Sequence, residues 1–347
     1  MPHLLTLVEQ FWHKVPGGTA KATERTLAAL LDHHEFTITG LAAAHRPVRA
    51  SSGAGGGHAW ASVPEGVSVV HHRLPRPVLY ESWLRLGRPS IDRLAGPGSV
   101  FWASSLIVPP TTIPVVSTVH DLDFLDRQEL LTRRGQDFFP RVWRQARMRS
   151  HRFVCPSAVV AEQCVRHGVE PGCVRVVPWG VDQPACPPEL VDRVLLDLVK
   201  RSGHHQAGLP ERFVLLVAPD QPRKNPAICA LALEANDCAA VIVGSEPPAD
   251  GVDWFDRRDQ PVIRLGSVSN VELSALYHRA DALLFPSLAE GFGLPVAEAM
   301  MHGLPVVTSR GTATEEVARG AAIVVDPDND DEVAAALGRV LDDGGLR

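Results

Sequence analysis

Residues 286–317 read PSLAEGFGLPVAEAMMHGLPVVTSRGTATEEV. They follow an apolar run, Ala282-Leu283-Leu284-Phe285, which reads as a buried strand ended by Pro286. Gly291 and Gly293 make a loop, and Pro295 suits the first turn of a helix, where its missing N–H costs nothing. The helix carries Val296, Ala297, Glu298, Ala299 and Met300 and stops at Gly303, with Pro305 beyond it. A second buried strand follows over 304–308. Strand, loop, helix and strand in this order are the repeating unit of a parallel sheet, with the loop at the carboxyl edge where such sheets bind ligands. The stretch therefore places the chain in the α/β class.

The loop also carries Glu290, and the first turns of the helix carry Glu298. Backbone N–H groups over 291–297 are expected to be unpaired and to form an anion site. Two carboxylates beside an anion site are consistent with a ligand that is both anionic and rich in hydroxyls. A nucleotide sugar meets both demands.

Working outward, 347 residues suit two domains rather than one core. A hydrophobic content of 45% with 21% charged residues is that of a soluble globular protein. The net charge of −6 argues against general nucleic-acid binding. No apolar run approaches the roughly 20 residues of a membrane helix. The start, MPHLLTLVEQF, lacks the basic region and cleavage site of a signal peptide. The six cysteines form no C-x-x-C pair or metal-ligand spacing and read as reduced thiols of a cytoplasmic protein.

In the first half, a strand over 3–9 is expected, then a loop over 11–20 containing Pro16-Gly17-Gly18-Thr19. A helix follows with Ala22, Leu27, Leu30 and Leu31 on its period. Gly17 and Gly18 would let backbone approach a ligand closely. The run SSGAGGGH over 51–58 does not fit G-x-G-x-x-G, because position 58 is His, and reads as a surface loop. Further strands are expected over 99–103 and 114–119, the second ending at His120-Asp121. Residues 131–152 carry Arg133, Arg134, Arg141, Arg144, Arg147, Arg149 and Arg152 against one acid, Asp137, with Phe138, Phe139, Val142, Trp143 and Met148 interleaved. They read as an amphipathic helix with solvated arginines; the sharper reading is a peripheral contact of Arg133 to Arg152 with anionic lipid headgroups. A strand over 151–156, a helix over 158–167 and a strand over 173–178 lead to VPWGVD at 177–182.

Residues 183–210, with prolines 184, 187, 188 and 210 around a helix of 191–200, read as a linker zone. A buried strand over 213–217 then leads into APDQPRKNP, so that Arg223 and Lys224 stand in a strand-to-helix loop. Strands over 239–243 and 262–265 and a helix over 330–341 complete the pattern.

The pattern E-x7-E within EGFGLPVAE, with MHGLPVVTS behind it and Glu316 further on, resembles the retaining GT-B glycosyltransferases of the group 1 family. So do TVHDLDFLD at 118–126, PWGVD at 178–182, the PRKN of 222–225 and LGSVSNVELSALYHRAD at 265–281. The resemblance implies two Rossmann-like domains whose parallel sheets face each other across a cleft: an acceptor-side domain over 1–182 and a nucleotide-sugar domain over 211–347. It implies transfer of a hexosyl unit to a hydroxyl with retention. The donor leans towards GDP-mannose, with UDP-sugars next, and the acceptor is a glycan, a lipid-linked sugar or a small molecule. Arg223 and Lys224 would hold the diphosphate and Glu290 the donor sugar, completed by amides of Gly291, Phe292, Gly293 and Leu294. Glu298 would bind the ribose, backbone at Ser267 and Val268 the base, and Gly17 and Gly18 would lie near the phosphates. His120 would contact the sugar from the other domain, with Asp121 orienting its surroundings.

Asp121-Leu122-Asp123 also matches a metal-binding D-x-D, but nothing else fits the fold that uses it, and neither a catalytic metal nor a cofactor is expected. Ala218 stands where the family commonly has glycine, and the chain stops at LDDGGLR where relatives continue with a further helix. The spacing of Glu290 and Glu298 could suggest a glycosidase pair, but phosphate-binding surroundings have no use in that chemistry. The alternatives are a nucleotide-sugar epimerase on the same fold and a non-catalytic nucleotide-sugar-binding subunit.

Overall fold

The computed structural model describes residues 2–13, 17–33, 36–45, 62–181, 185–203, 208–244, 253–256 and 260–343. It divides into two compact units, Met1–Trp179 and Gly180–Arg347. In the first, the chain runs β1 (His3–Leu7), α1 (Gly17–Asp32), β2 (Thr37–Ala42), β3 (Ser68–His71) and α2 (Arg76–Arg85). It continues through β4 (Val100–Ala103), β5 (Val115–Thr118), α3 (Asp123–Asp126), α4 (Arg133–Arg149), β6 (Arg152–Cys155), α5 (Ala158–Arg166) and β7 (Val174–Val176). The strands form one parallel sheet in the order β3-β2-β1-β4-β5-β6-β7.

The second unit opens with α6 (Val191–Arg201), β8 (Val214–Val217), α7 (Pro226–Ala235), β9 (Ala240–Val243) and β10 (Val262–Gly266). Then come α8 (Asn270–Arg279), β11 (Ala282–Phe285), α9 (Leu294–Met301), β12 (Val306–Ser309), α10 (Ala313–Ala318), β13 (Ile323–Val325) and α11 (Asp330–Asp342). Its sheet is also parallel, ordered β10-β9-β8-β11-β12-β13. Both orders reverse beside the first strand, between β1 and β4 and between β8 and β11, and at such a reversal the loops diverge and leave a crevice.

The central strands are apolar because helices cover both faces. Val214, Leu216, Ala240, Ile242, Ala282, Leu284 and Val307 are buried against Leu233 of α7 and Val333, Leu337 and Val340 of α11. Each large aliphatic side chain buried in this way contributes roughly 1.5–3 kcal/mol. Helix starts are fixed locally. Ser269 and Glu272 form a reciprocal capping box at α8, and Asn329 caps α11 ahead of three acids that suit its N-terminal dipole.

Several boundaries differ from expectation. Gly17 and Gly18 do not lie in a loop extending to residue 20; they are the first residues of α1. The first strand ends at Leu7, and Glu9–Trp12 forms a 3-10 turn. Strand β12 begins at Val306, one residue past Pro305, whose missing N–H keeps it out of the ladder. Helix α6 packs on α8 within the second unit, tied by Arg201 to Glu272 at 2.7 Å, and the Cys186 N–H donates to Ser274 Oγ at 2.8 Å. The glycine-rich stretch 51–58 lies outside the described residues.

Candidate functional site

The second unit gathers its charges at the β8–β11 reversal. After β8, Ala218 adopts φ +49, the left-handed conformation that a glycine there would take at no cost. A 3-10 turn, Pro222–Lys224, then presents the two basic residues, and Asn225 at φ +60 closes it by donating from Nδ2 to Pro327 O at 2.6 Å. The neighbouring loop is bonded to this one through Leu288 N–H to Arg223 O at 2.8 Å. Glu290 is thereby brought between the two cations. Arg223 Nη1 donates to Glu290 Oε1 at 2.9 Å and to Ala289 O at 3.2 Å, and Lys224 Nζ donates to the same Oε1. The Lys224 ammonium also lies 4.1 Å from the centre of the Phe285 ring.

The two partners shift differently. Burial pulls Lys224 down to about 8, against the opposing pull of Glu290 and with a further push from the Arg223 charge. Burial pushes Glu290 up, but Lys224 and Arg223 together outweigh it and hold the carboxyl below its ordinary value. The asymmetry has a simple cause: one carboxylate faces two cations, whereas each cation has one carboxylate and a like charge beside it. Together they form a cationic pair, Lys224 buried and Arg223 partly exposed, that shares a single acid.

The amide site is narrower than expected. Val296 and Ala297 N–H groups both donate to Gly293 O, at 3.0 and 3.2 Å, and Pro295 has no N–H, so these three positions drop out of the span 291–297. Gly293 caps α9 at φ +95, and Phe292 is buried. Behind the loop, Thr314 Oγ1 lies 2.8 Å from Thr308 Oγ1 and 2.7 Å from Thr312 Oγ1. Ser287 and Ser309, just beyond β11 and at the end of β12, are buried with no hydrogen-bond partner for their hydroxyls among the described residues. Sequence reasoning passed over both, although serine in the otherwise apolar context of a strand end is the signal that could have found them.

Glu298 is buried on α9, and its Oε2 accepts a hydrogen bond from the Tyr277 hydroxyl at 3.1 Å. Ser267 and Val268 follow β10, the first exposed and the second buried, after Gly266 at φ +62. Arg264 of β10 spans two acids, with bonds of 2.8 and 3.2 Å to Asp220 and 2.7 Å to Asp253. The structure thus brings Arg223, Lys224 and Glu290 into one cluster, with Glu298, Ser267 and Val268 elsewhere in the same unit.

In the first unit, His120 follows β5, and its Nε2 donates to Ser104 O at 2.7 Å. A carbonyl can only accept, so the Nε2-protonated tautomer is fixed and Nδ1 presents a lone pair. That Nδ1 is buried and has no partner among the described residues. Burial lowers the His120 pKa against the pull of the Ser104 carbonyl, which keeps the ring neutral. The Trp179 ring lies 5.2 Å from the His120 ring, a contact that PWGVD does not announce. Asp123 accepts from Gln163 Nε2 at 2.7 Å. Gly17, at φ +65, and Gly18 stand at the start of α1 with no atom within 4 Å of a Cβ built on Gly17.

A second cluster was not foreseen. Glu9, buried after β1, accepts from Ala43 N at 2.8 Å and meets His45 Nε2 at 3.0 Å, while Trp12 stacks on His45 with ring centres 4.9 Å apart. The arginines of α4 are also less free than their number suggests. Arg141 forms a paired bond to Glu81 at 2.9 and 3.2 Å, Arg149 donates to Val108 O at 2.9 Å, and Arg147 lies against Gly168. Arg133, Arg134 and Arg144 are exposed.

Comparison with known proteins adds to this geometry. Residues 226–343 match the family described as Glycosyl transferases group 1, and residues 16–183 match Glycosyltransferase Family 4. The MMP alpha-(1->4)-mannosyltransferase of Mycolicibacterium hassiacum is 30% identical over 249 residues, 66% of this chain and 57% of that protein. The D-inositol 3-phosphate glycosyltransferase of Salinispora arenicola is 30% identical over 259 residues, 68% of this chain and 57% of that protein. The O-antigen chain mannosyltransferase B of Escherichia coli is 42% identical over 83 residues, 24% of this chain and 22% of that protein. The chain therefore spans little more than half the length of the longest-matching of these relatives.

Among solved structures, the sucrose-phosphate synthase of Thermosynechococcus elongatus superposes with a TM-score of 0.67 at 17% identity, covering 100% of this chain and 91% of that one. Anabaena Alr3699/HepE in complex with UDP-glucose gives 0.66 at 16%, with the same coverage of 100% and 91%. At these identities the likeness shows the fold, which is GT-B.

Proposed function

The chain belongs to the group 1 glycosyltransferases, and from that premise we propose that it transfers a hexosyl unit from a nucleotide diphosphate sugar to an acceptor hydroxyl with retention of anomeric configuration. The observation that carries this reading is the Arg223–Glu290–Lys224 cluster. A cation pair held in place by one carboxylate is a receptor for a diphosphate. When the diphosphate takes up Arg223 and Lys224, lone pairs of Glu290 are released to accept hydroxyls of the donor sugar. As the glycosidic bond breaks, negative charge grows on the departing phosphate oxygen, and the two fixed cations stabilise it without reorganisation. The backbone amides of Gly291, Phe292, Gly293 and Leu294 complete the sugar site in this reading.

In this reading Glu298 binds the ribose, backbone at Ser267 and Val268 lies beside the base, and Gly17 and Gly18 serve the phosphates. His120 offers Nδ1 as a hydrogen-bond acceptor to a sugar hydroxyl. The charge stabilisation comes from side chains and amides, so the reaction is metal-independent and needs no cofactor. We take GDP-mannose as the first donor to test, since two of its relatives are mannosyltransferases, and UDP-sugars next, since HepE was solved with UDP-glucose. The acceptor is a glycan, a lipid-linked sugar or a small molecule. No helix among the described residues is long and apolar enough to cross a membrane. We assign the protein to the cytoplasm, with a peripheral contact through the exposed arginines of α4.

The test is product formation from GDP-mannose and UDP-glucose, each with a panel of simple sugars and extracted lipids, followed by mass spectrometry. Acceptor-dependent release of nucleotide diphosphate supports the transferase. Release of free nucleotide without any glycosylated product, or binding without turnover, overturns it in favour of an epimerase or a binding subunit.

A further inference from the structure

We propose that Tyr277 is a positioning residue that aims the Glu298 carboxylate at the two ribose hydroxyls of the donor, and so sets the chain's preference for ribonucleotides. The inference rests on the reading of Glu298 as a ribose ligand.

Glu298 is held at its carboxylate by α8 and at its carbonyl by His302, the C-cap of its own helix, which is tied in turn to α8 through Ser274. At the carboxylate, the hydroxyl of Tyr277 donates to Oε2 at 3.1 Å. At the backbone, His302 Nδ1 donates to the Glu298 carbonyl at 2.8 Å. That bond fixes the histidine tautomer, so its Nε2 accepts from Ser274 Oγ at 2.8 Å, and Ser274 Oγ in turn accepts from the Cys186 N–H at 2.8 Å. The His302 ring packs on that of Tyr277 with centres 5.3 Å apart, and His278 meets it edge-on at 4.8 Å. Tyr277 is 1% exposed and Glu298 is 4% exposed. Burial, with the nearby Glu298 charge, pushes the phenol well above its ordinary pKa, so the hydroxyl remains a donor throughout the working range.

A carboxylate has about four acceptor directions, and a fixed donor in one of them settles where the others point. A side chain free to rotate would lose that aim and pay rotamer entropy to bind. Tyrosine does more here than fill the core. A phenylalanine would fill the same volume, but it would leave Oε2 without this donor.

Isothermal titration of the full chain with GDP and UDP, and with the 2′,3′-dideoxy form of each, reads the effect directly. The wild type is expected to prefer the ribonucleotide. Tyr277→Phe should weaken the ribonucleotide about tenfold while leaving the dideoxy form unchanged, so that the preference collapses. Ser274→Ala, which cuts the His302 relay and spares the phenol, serves as the second variant and should lose a smaller part of the same preference.

Unchanged preference in Tyr277→Phe and Ser274→Ala overturns the proposal. Equal weakening of both nucleotide forms overturns it as well, since that is what a merely structural tyrosine would give. Glu298→Ala, which removes every acceptor, separates the underlying reading. If it keeps the wild-type preference, Glu298 is not the ribose ligand and the donor-site assignment fails first.

Discussion

A methyl group placed on Gly293 would stand 2.6 Å from Thr314 Cγ2. The threonine cannot yield, because its hydroxyl is held between Thr308 and Thr312, and its Cα lies only 3.6 Å from the same point. Gly293 also sits at φ +95, a backbone setting that side chains strain. Close approach and left-handed backbone together let the loop from Glu290 turn into α9.

Gly293→Ala is therefore expected to cost roughly 2–4 kcal/mol, summing backbone strain and overpacking. Urea unfolding checks this. The same variant should lose nucleotide binding even at concentrations where it is fully folded, because relieving the clash moves Glu290 and its amides.

The binding of nucleotide diphosphate should weaken as pH rises from 7 to 9. Lys224 is pulled down to about 8 in the free chain, so above that pH it is neutral, and an anionic ligand must first restore its proton. Calorimetry near pH 8.5 in buffers of different ionisation enthalpy should accordingly show proton uptake on binding. Lys224→Arg should flatten the profile. For stability the signs differ. The unliganded chain gains stability as pH rises between about 8 and the ordinary lysine range, while the contribution of Glu290 is lost as pH falls below its ordinary value.

Arg264→Ala should destabilise the second unit by roughly 2–4 kcal/mol, because the largely buried Asp220 loses its paired bonds to the guanidinium. Adding Asp220→Asn should recover a good part of the loss. The urea midpoints of the three chains decide it; additive losses would refute the coupling.

Charge reversal at Arg133, Arg134 and Arg144 should abolish sedimentation with vesicles containing phosphatidylglycerol at low salt and leave the melting temperature nearly unchanged. Arg141→Ala should do the reverse, since its guanidinium is engaged with Glu81. Equal vesicle binding by wild type and the triple variant would dispose of the membrane contact.

The stretch from β11 to β12 was legible because its punctuation is chemical: Pro286 ends a strand, Pro295 starts a helix, and strands buried on both faces read as unbroken apolar runs. Residues 33–98 gave no such signal. β2 reads TITGLA, with Gly40 in place because a Cβ would come within 2.9 Å of Val8, and β3 is four residues with two exposed ends. Arg223, Lys224 and Glu290 could be picked from the sequence one by one, but their contacts could not. Lys224 and Glu290 are 66 positions apart, and no local pattern records that they share one oxygen. Tyr277 lies in the stretch 265–281 that resembles a family segment, and nothing in that pattern announces the target of its hydroxyl. The amide count was too high because Ala297 N–H makes the first regular bond of α9 to Gly293 O, and Val296 N–H shares that oxygen.

The chain has only four lysines, Lys14, Lys21, Lys200 and Lys224, among 34 basic residues. With Lys224 lowered to about 8, about half of it is a free amine at that pH, whereas an ordinary lysine is less than about 1% deprotonated. Nucleophilicity belongs to the unprotonated form. A small acylating reagent at mildly alkaline pH should therefore find in this molecule an amine already primed for it. Shielding of that amine by bound nucleotide would mark occupancy of the site residue by residue in a peptide map. The burial that tunes an anion receptor has thus left the protein with its own covalent reporter.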